Sequence, residues 1–177
     1  MTLATFEAST KALRPFWGRC MEIGQQTAEE PPGETFARLR EPGMAAERDM
    51  YAATGGVNTH KGAIFILGVI CGALGRLWRP EAPCRDVNVI TRMCADMTRS
   101  AMDADFAALR PETARTTGER LYLGHGLKGI RGEMANGLLS VKNVALPMVR
   151  EAIEAGYNIN RAGVYALLAA ALFLYSL

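Results

Sequence analysis

The sequence predicts an all-α fold, a multi-helix bundle with glycine-rich loops gathered at one side. Three observations carry this. Apolar residues recur at three- and four-residue spacing through several long stretches. No stretch sustains the period-two alternation of a half-buried strand, and there is no strong hairpin signal. Two loops are rich in glycine, and each holds one of the chain's two histidines. A length of 177 residues suffices for one domain with a real core, so residues 1–177 read as a single helical domain.

Residues 2–24 place Phe6, Leu13, Phe16, Trp17, Cys20 and Ile23 at helical spacing, with Pro15 expected to kink or divide the helix. Gln25 to Gly33 reads as a loop, punctuated by Pro31-Pro32-Gly33. Glu34 to Arg40 reads as a short helix before a break at Pro42-Gly43, and Met44 to Thr54 as the next. Gly62 to Trp78 is apolar nearly all round, as a buried core helix is. Arg76 and Arg79 suit its C-terminal end, where the helix dipole is negative. Asp86 to Leu109 is the cleanest amphipathic helix. Its apolar face is Ile90, Met93, Cys94, Met97 and Ala101, its expected N-cap is Asp86, and Met93, Met97 and Met102 read as core. Asp96, Asp103 and Asp105 read as a solvated face. Pro111 to Gly118 is a polar linker and Glu119 to Leu123 a short element. Glu133 to Ala155 reads as a helix broken at Pro147.

Asn158 and Asn160 are N-cap candidates for a last helix, Arg161 to Leu177. From Ala162 it is almost wholly apolar and ends without a capping glycine or terminal cations. Such a helix is expected to continue or to pack against something further. A membrane anchor is the rival reading, but its 16 residues fall below the usual span.

Composition narrows the function classes. A net charge of +2 gives no general case for nucleic acid, so any preference for anions must be local. Cys20, Cys71, Cys84 and Cys94 show no CxxC spacing, which argues against zinc. With no secretory signal peptide, reduced thiols in a cytoplasmic protein are the expectation, with Cys71 and Cys94 in the core.

The stretch Thr54-Gly55-Gly56-Val57-Asn58-Thr59-His60-Lys61-Gly62 joins a Gly-Gly turn, a polar cluster and a buried helix. Lys61 stands where the helix begins. That end carries partial positive charge and open N–H groups, so a cation is mildly unfavourable there unless something negative intervenes. Glycine-rich backbone, open N–H groups and a lysine can together form a phosphate cradle. In the alternative, Asn58 or Thr59 merely caps the helix and Lys61 extends into solvent. The second loop, Gly124-His125-Gly126-Leu127-Lys128-Gly129-Ile130-Arg131-Gly132-Glu133, again sets a histidine among glycines and charged groups. Two such loops suggest a site for a polyanionic ligand. Glu47 precedes the Gly-Gly turn by about two helical turns and could face the same cavity as His60. Its alternative is a solvated glutamate.

Ala46-Glu47, Met50 and Ala53 through Phe65, with the core Asn58-Thr59-His60-Lys61-Gly62, resemble the signature of the triphosphoribosyl-dephospho-CoA synthases. Gly129-Ile130-Arg131-Gly132-Glu133, followed by Gly137, is similar to that family's second motif. The resemblance runs from about Phe6 to the end of the chain. Members are usually much longer, so the chain is expected to be the central part of a longer family sequence. The resemblance implies a ribosyl transfer. The triphosphoribosyl group of ATP moves to a ribose hydroxyl of dephospho-CoA and adenine leaves. The product would be the prosthetic-group precursor for the acyl carrier protein of citrate lyase or malonate decarboxylase, and would pass to a transferase that loads that carrier. It also implies a magnesium ion with the ATP, no nucleic acid and no membrane. A homo-oligomer stays open.

The motif positions then take roles by chemical suitability. Lys61, Arg131 and Lys128 suit the triphosphate, with backbone N–H groups at Gly55, Gly56 and Gly62, while Thr59 and Gly132 belong to the same cradle. Glu47 and Glu133 are the carboxylates, as base, oxocarbenium stabiliser or magnesium ligand. His60 would shuttle a proton or bond a phosphate. Asn58 would orient a ribose hydroxyl or a magnesium-bound water. His125 is the weaker histidine, expected only to shape its loop. Two competing readings remain: a nucleotide- or CoA-binding fragment without catalysis, and a helical module that oligomerises.

Overall fold

In the computed structural model, residues 1–175 are described, and they form an all-α fold. The helices are α1 (Leu3–Gln26), α2 (Pro32–Thr54), α3 (Lys61–Arg76), α4 (Val87–Ala108), α5 (Thr117–His125), α6 (Gly129–Ala135), α7 (Leu146–Glu154) and α8 (Ile159–Tyr175). A 3₁₀ turn at Pro111–Thr113 precedes α5, and a π segment at Val141–Ala145 runs into α7. There are no strands among the described residues.

The expected proline breaks do not occur in α1 and α2. Pro15 and Pro42 both lie inside continuous helices. A proline removes one backbone donor, and burial can compensate for it. In α1 the buried stripe Ser9, Leu13, Phe16, Cys20 and Ile23 keeps its phase across Pro15. In α2 Phe36, Leu39, Ala46 and Met50 do the same across Pro42-Gly43. The helix expected over 133–155 breaks earlier than Pro147, at Asn136-Gly137-Leu138, where Gly137 and Leu138 both have positive φ. Pro147 instead stands in the first turn of α7. The π segment just before it widens the helix, and Leu146 N–H reaches back to Val141 O.

Asp86 and Asn158 cap as expected, while Asn160 lies inside α8. Asp86 accepts from Asn88 N–H at 2.8 Å, and Asn158 accepts from Arg161 N–H at 3.0 Å. The last helix starts at Ile159, and its expected extension over Ser176 and Leu177 lies outside the described residues. Ala162 and Ala166 of α8 are buried, whereas Leu167 and Leu172 are exposed. No helix among the described residues is long and apolar enough to cross a membrane.

The core joins α1 to α4 and α6, centred on Leu13, Cys20, Met50, Ile64, Ala73, Met97 and Met134. Cys20 and Cys94 are fully buried, and burial pushes both thiols up to about 12, so they stay protonated. Cys71 is half-buried, and its thiol is raised by the same cause. Helices α1 and α3 cross at glycines. A Cβ on Gly24 would lie 2.1 Å from Gly72 O, and one on Gly75 would lie 2.1 Å from Met21 O. Only hydrogen fits there.

Arg76 stands in the last turn of α3 as expected, but it is not a solvated cation there. It is 7% exposed and turns inward. Its guanidinium donates to Thr35 Oγ1 at 2.7 Å, to Glu30 O at 2.7 Å, to Ala28 O at 3.1 Å and to Thr27 O. It therefore closes the turn between α1 and α2 from a third helix. Burial lowers its pKa, and the charges of Glu29 and Glu30 oppose that.

Candidate active site

The Gly-Gly turn is built as a helix stop. Gly55 ends α2 with φ 64°, and Gly56 follows at φ 87°, both in the left-handed region that glycine enters without strain. The N–H groups of Gly55 and Gly56 both donate to Tyr51 O. They are therefore occupied within the turn rather than open to a ligand. Thr54 Oγ1 clamps the loop by donating to Met50 O at 2.8 Å and Val57 O at 2.6 Å. Asn58 Oδ1 then accepts from Lys61 N–H at 3.2 Å, so Asn58 caps α3. The N–H groups of Gly62 and Ala63 have no partner among the described residues.

The negative group that Lys61 needs is Glu47. Lys61 Nζ lies 2.9 Å from Glu47 Oε2. The hydrogen bond to Glu47 raises the Lys61 pKa, while burial and the nearby Arg131 charge pull against it. Lys61 thus stays cationic; of the capping alternative, the Asn58 cap is present, while Lys61 is held by Glu47 rather than extending freely into solvent. Glu47 lines a cavity of about 190 Å³. Its floor is apolar, with Phe16, Phe36, Phe65 and Met102, and Arg40, Asp105 and Arg131 add charge. Arg40 bonds Asp105 at 2.6 Å and stacks over the Phe36 ring at 5.3 Å. Asp105 is therefore not part of a freely solvated face.

His60 belongs to a separate cluster. Its Nδ1 lies 2.7 Å from Ser9 Oγ and 3.1 Å from Thr59 Oγ1, and Thr59 donates to Ser9 Oγ at 2.8 Å. Its backbone N–H donates to Met50 Sδ at 3.2 Å, and Phe6 meets the ring edge-on at 5.4 Å between centroids. Ser9 already accepts from Thr59. If its own proton is directed at Nδ1, the ring proton of the neutral imidazole lies on Nε2. His60 is not among the residues lining the cavity that Glu47 faces.

The second loop divides its residues. α5 stops at Gly126 with φ 70°, and His125 is exposed at its end. Arg131 reaches the cavity and lies 3.7 Å from Glu119 Oε1. Glu119 is a fixed anion. Its Oε2 accepts the N–H groups of Arg115 and Thr116 at 2.8 and 2.9 Å, and these bonds hold its carboxyl below the usual range. Lys128 pairs with Asp103 at 3.5 Å and sits over the Phe106 ring. Gly132 is packed against Lys128, whose Cβ would lie 2.5 Å from an added Cβ. Glu133 Oε2 accepts from Ser140 N–H at 3.1 Å and Ser140 Oγ at 2.8 Å, which ties the turn after α6.

The fold therefore unites Glu47, Lys61 and Arg131 and keeps His60 with Ser9 and Thr59. Glu133 and Lys128 each have local partners. Sequence reasoning missed Ser9 and Glu119. Neither lies in a motif, although Thr116 and Glu119 carry the spacing of a capping box. No group of three or more His, Cys, Asp or Glu that could hold a metal occurs among the described residues.

Over its described residues this is an all-helical protein whose cleft sets the Glu47–Lys61 and Arg40–Asp105 pairs and Arg131 about an apolar floor. The chain belongs to the ATP:dephospho-CoA triphosphoribosyl transferase family, which it matches over residues 1–171. It is 37% identical over 171 residues to the 2-(5''-triphosphoribosyl)-3'-dephosphocoenzyme-A synthase of Pectobacterium atrosepticum, covering 95% of this chain and 55% of that protein. It is 38% identical over 168 residues to a probable synthase of the same name from Vibrio cholerae, covering 95% of this chain and 53% of the other. The Klebsiella pneumoniae synthase is 37% identical over 174 residues, covering 95% of this chain and 55% of that protein. The chain spans about half the length of the curated relatives it matches. No solved structure matches it.

Proposed function

We propose that this chain forms the reaction cleft of a triphosphoribosyl transferase that moves the triphosphoribosyl group of ATP to dephospho-CoA and releases adenine. The observation that carries this is the Glu47–Lys61 pair at 2.9 Å, set at the start of α3 beside an apolar cavity. Such a pair is a switchable acid. An arriving triphosphate competes for Lys61, with Arg131 and the open N–H groups of Gly62 and Ala63 adding donors. Drawing Lys61 away frees the Glu47 carboxylate beside the sugar. There it can stabilise the oxocarbenium-like carbon or take the proton of the attacking ribose hydroxyl. The apolar floor suits a base or the acyl-free arm of the acceptor, and Phe36 and Phe65 meet edge to face at 6.3 Å within it. His60, with Nε2–H as donor, serves a phosphate or the leaving base.

Magnesium, when it accompanies ATP, supplies charge neutralisation at the phosphates and needs one or two protein carboxylates. Glu47 lines the cavity and its Oε1 has no partner among the described residues, so Glu47 is the carboxylate that could hold such an ion there, whereas Glu133 is tied to Ser140 outside the cavity. The product would be the prosthetic-group precursor for the carrier protein of citrate lyase or malonate decarboxylase. A cytoplasmic setting agrees with that chemistry.

The experiment is adenine release from ATP, with and without dephospho-CoA. Adenine formation that requires dephospho-CoA and falls about a hundredfold or more in Lys61→Ala is expected, the scale of losing a charged contact to the transition state. Turnover that survives Lys61→Ala would remove Lys61 from the site. ATP binding without adenine release would favour the binding-fragment reading.

A further inference from the structure

A second cavity, about 230 Å³, lies between the start of α4, the end of α6 and the π segment. Asn88, Thr91, Arg92, Arg99, Asn136 and Lys142 line it, and no carboxylate does. Three cations around one space repel each other, and proteins normally relieve this with a nearby acid. Here no ion pair links any of the three to a carboxylate among the described residues. Arg99 spends only its Nε, donating to Ala135 O at 3.1 Å. The side chains of Arg92 and Lys142 have no hydrogen-bond partner among the described residues. A solvated surface would account for Arg92 and Arg99, which are exposed. It does not account for Lys142, which is half-buried in the cavity wall without a counter-ion.

Asn88, Thr91 and Arg92 come from the start of α4, whose N-terminus is capped by the Asp86 carboxylate at Asn88 N–H. The two carboxamides supply donors that carry no charge. Pockets that enclose a whole drug-sized ligand run from roughly 300 to 1,000 Å³. This cavity is smaller, which fits one charged group of a larger molecule.

We propose that this cavity binds a diphosphate or triphosphate group of a nucleotide, separately from the cleft at Lys61. The anion site stands without the function proposed above. Only the choice between ATP and dephospho-CoA as its source rests on that reading.

The test is calorimetric titration of pyrophosphate and tripolyphosphate at constant ionic strength. It is run in a Lys61→Ala background, so that the other cleft contributes little. Adding Arg92→Ala with Lys142→Gln should weaken binding by about tenfold or more, the loss of at least one charge-assisted hydrogen bond. The same charge removed elsewhere, by Lys11→Gln with Arg14→Ala, should leave binding unchanged. Equal loss in both pairs, no loss in the first, or equally tight binding of sulfate would overturn the site. If the Lys142 variant unfolds, Arg92→Ala alone carries the test. Displacement of the probe by dephospho-CoA alone assigns the acceptor's diphosphate, and displacement by ATP alone assigns the donor's triphosphate. Displacement by neither overturns the nucleotide assignment.

Discussion

Ser9 shows how a side chain outside any motif can govern one inside it. It is fully buried on α1, 51 residues before His60 in sequence, and 2.7 Å from its Nδ1. Ser9→Ala removes two part-buried hydrogen bonds, to His60 and from Thr59, and is expected to cost about 1–2 kcal/mol of stability. It should also turn the single tautomer of His60 into a mixture, because only Thr59 would remain beside Nδ1. Ring ¹⁵N shifts read this directly, and an unchanged spectrum would show that the hydroxyl does not set the tautomer. The Lys61–Glu47 pair was only half legible. A lysine at a helix start calls for an anion, but the glycine-rich loop suggests a ligand phosphate for that role, and Glu47 is expected from sequence to face His60 instead. Nothing in the spacing revealed that the N–H groups of Gly55 and Gly56 would be consumed by Tyr51 O. Turn type depends on backbone angles, which the letters Gly-Gly leave open.

At the level of elements, hydrophobic periodicity located α1, α4 and the apolar α3, while the prolines misled. A proline inside a helix loses one bond, but a stripe such as Leu39, Ala46 and Met50 in α2 outweighs that loss when both halves pack on one surface. The glycines of α3 are a different signal. Gly75 of α3 and Gly24 of α1 let the two helices approach backbone to backbone, whereas a Cβ on Gly72 would meet the side chains of Leu39 and Met97. Gly75→Ala would gain helix propensity on its own, by about 1 kcal/mol. The contact at Met21 O wins, because a Cβ at 2.1 Å must push the helices apart. Net destabilisation of about 3 kcal/mol, the upper range for overpacking, is expected in urea unfolding. A variant as stable as the parent would mean that α1 can slide without loss.

Across the whole molecule, α1 to α4 with α6 share the core, while α8 packs on α7 and the π segment. The helical class was readable from the sequence because it rests on local repeats. The joins between distant segments were not, and Arg76 is the clearest of these, since in sequence it looks like a cation for a helix end. Its contacts carry a consequence for the order of folding. The carbonyls of the α1–α2 turn find their donor 46 to 49 residues further along the chain. That hairpin cannot complete itself as a local unit and closes only as α3 arrives. Arg76→Met should therefore cost about 3 kcal/mol and slow refolding, rather than merely hasten unfolding. A chevron in which the whole loss falls on the unfolding arm would place the closure after the barrier. Read as kinetics, one guanidinium makes the first two helices and the third a single cooperative step.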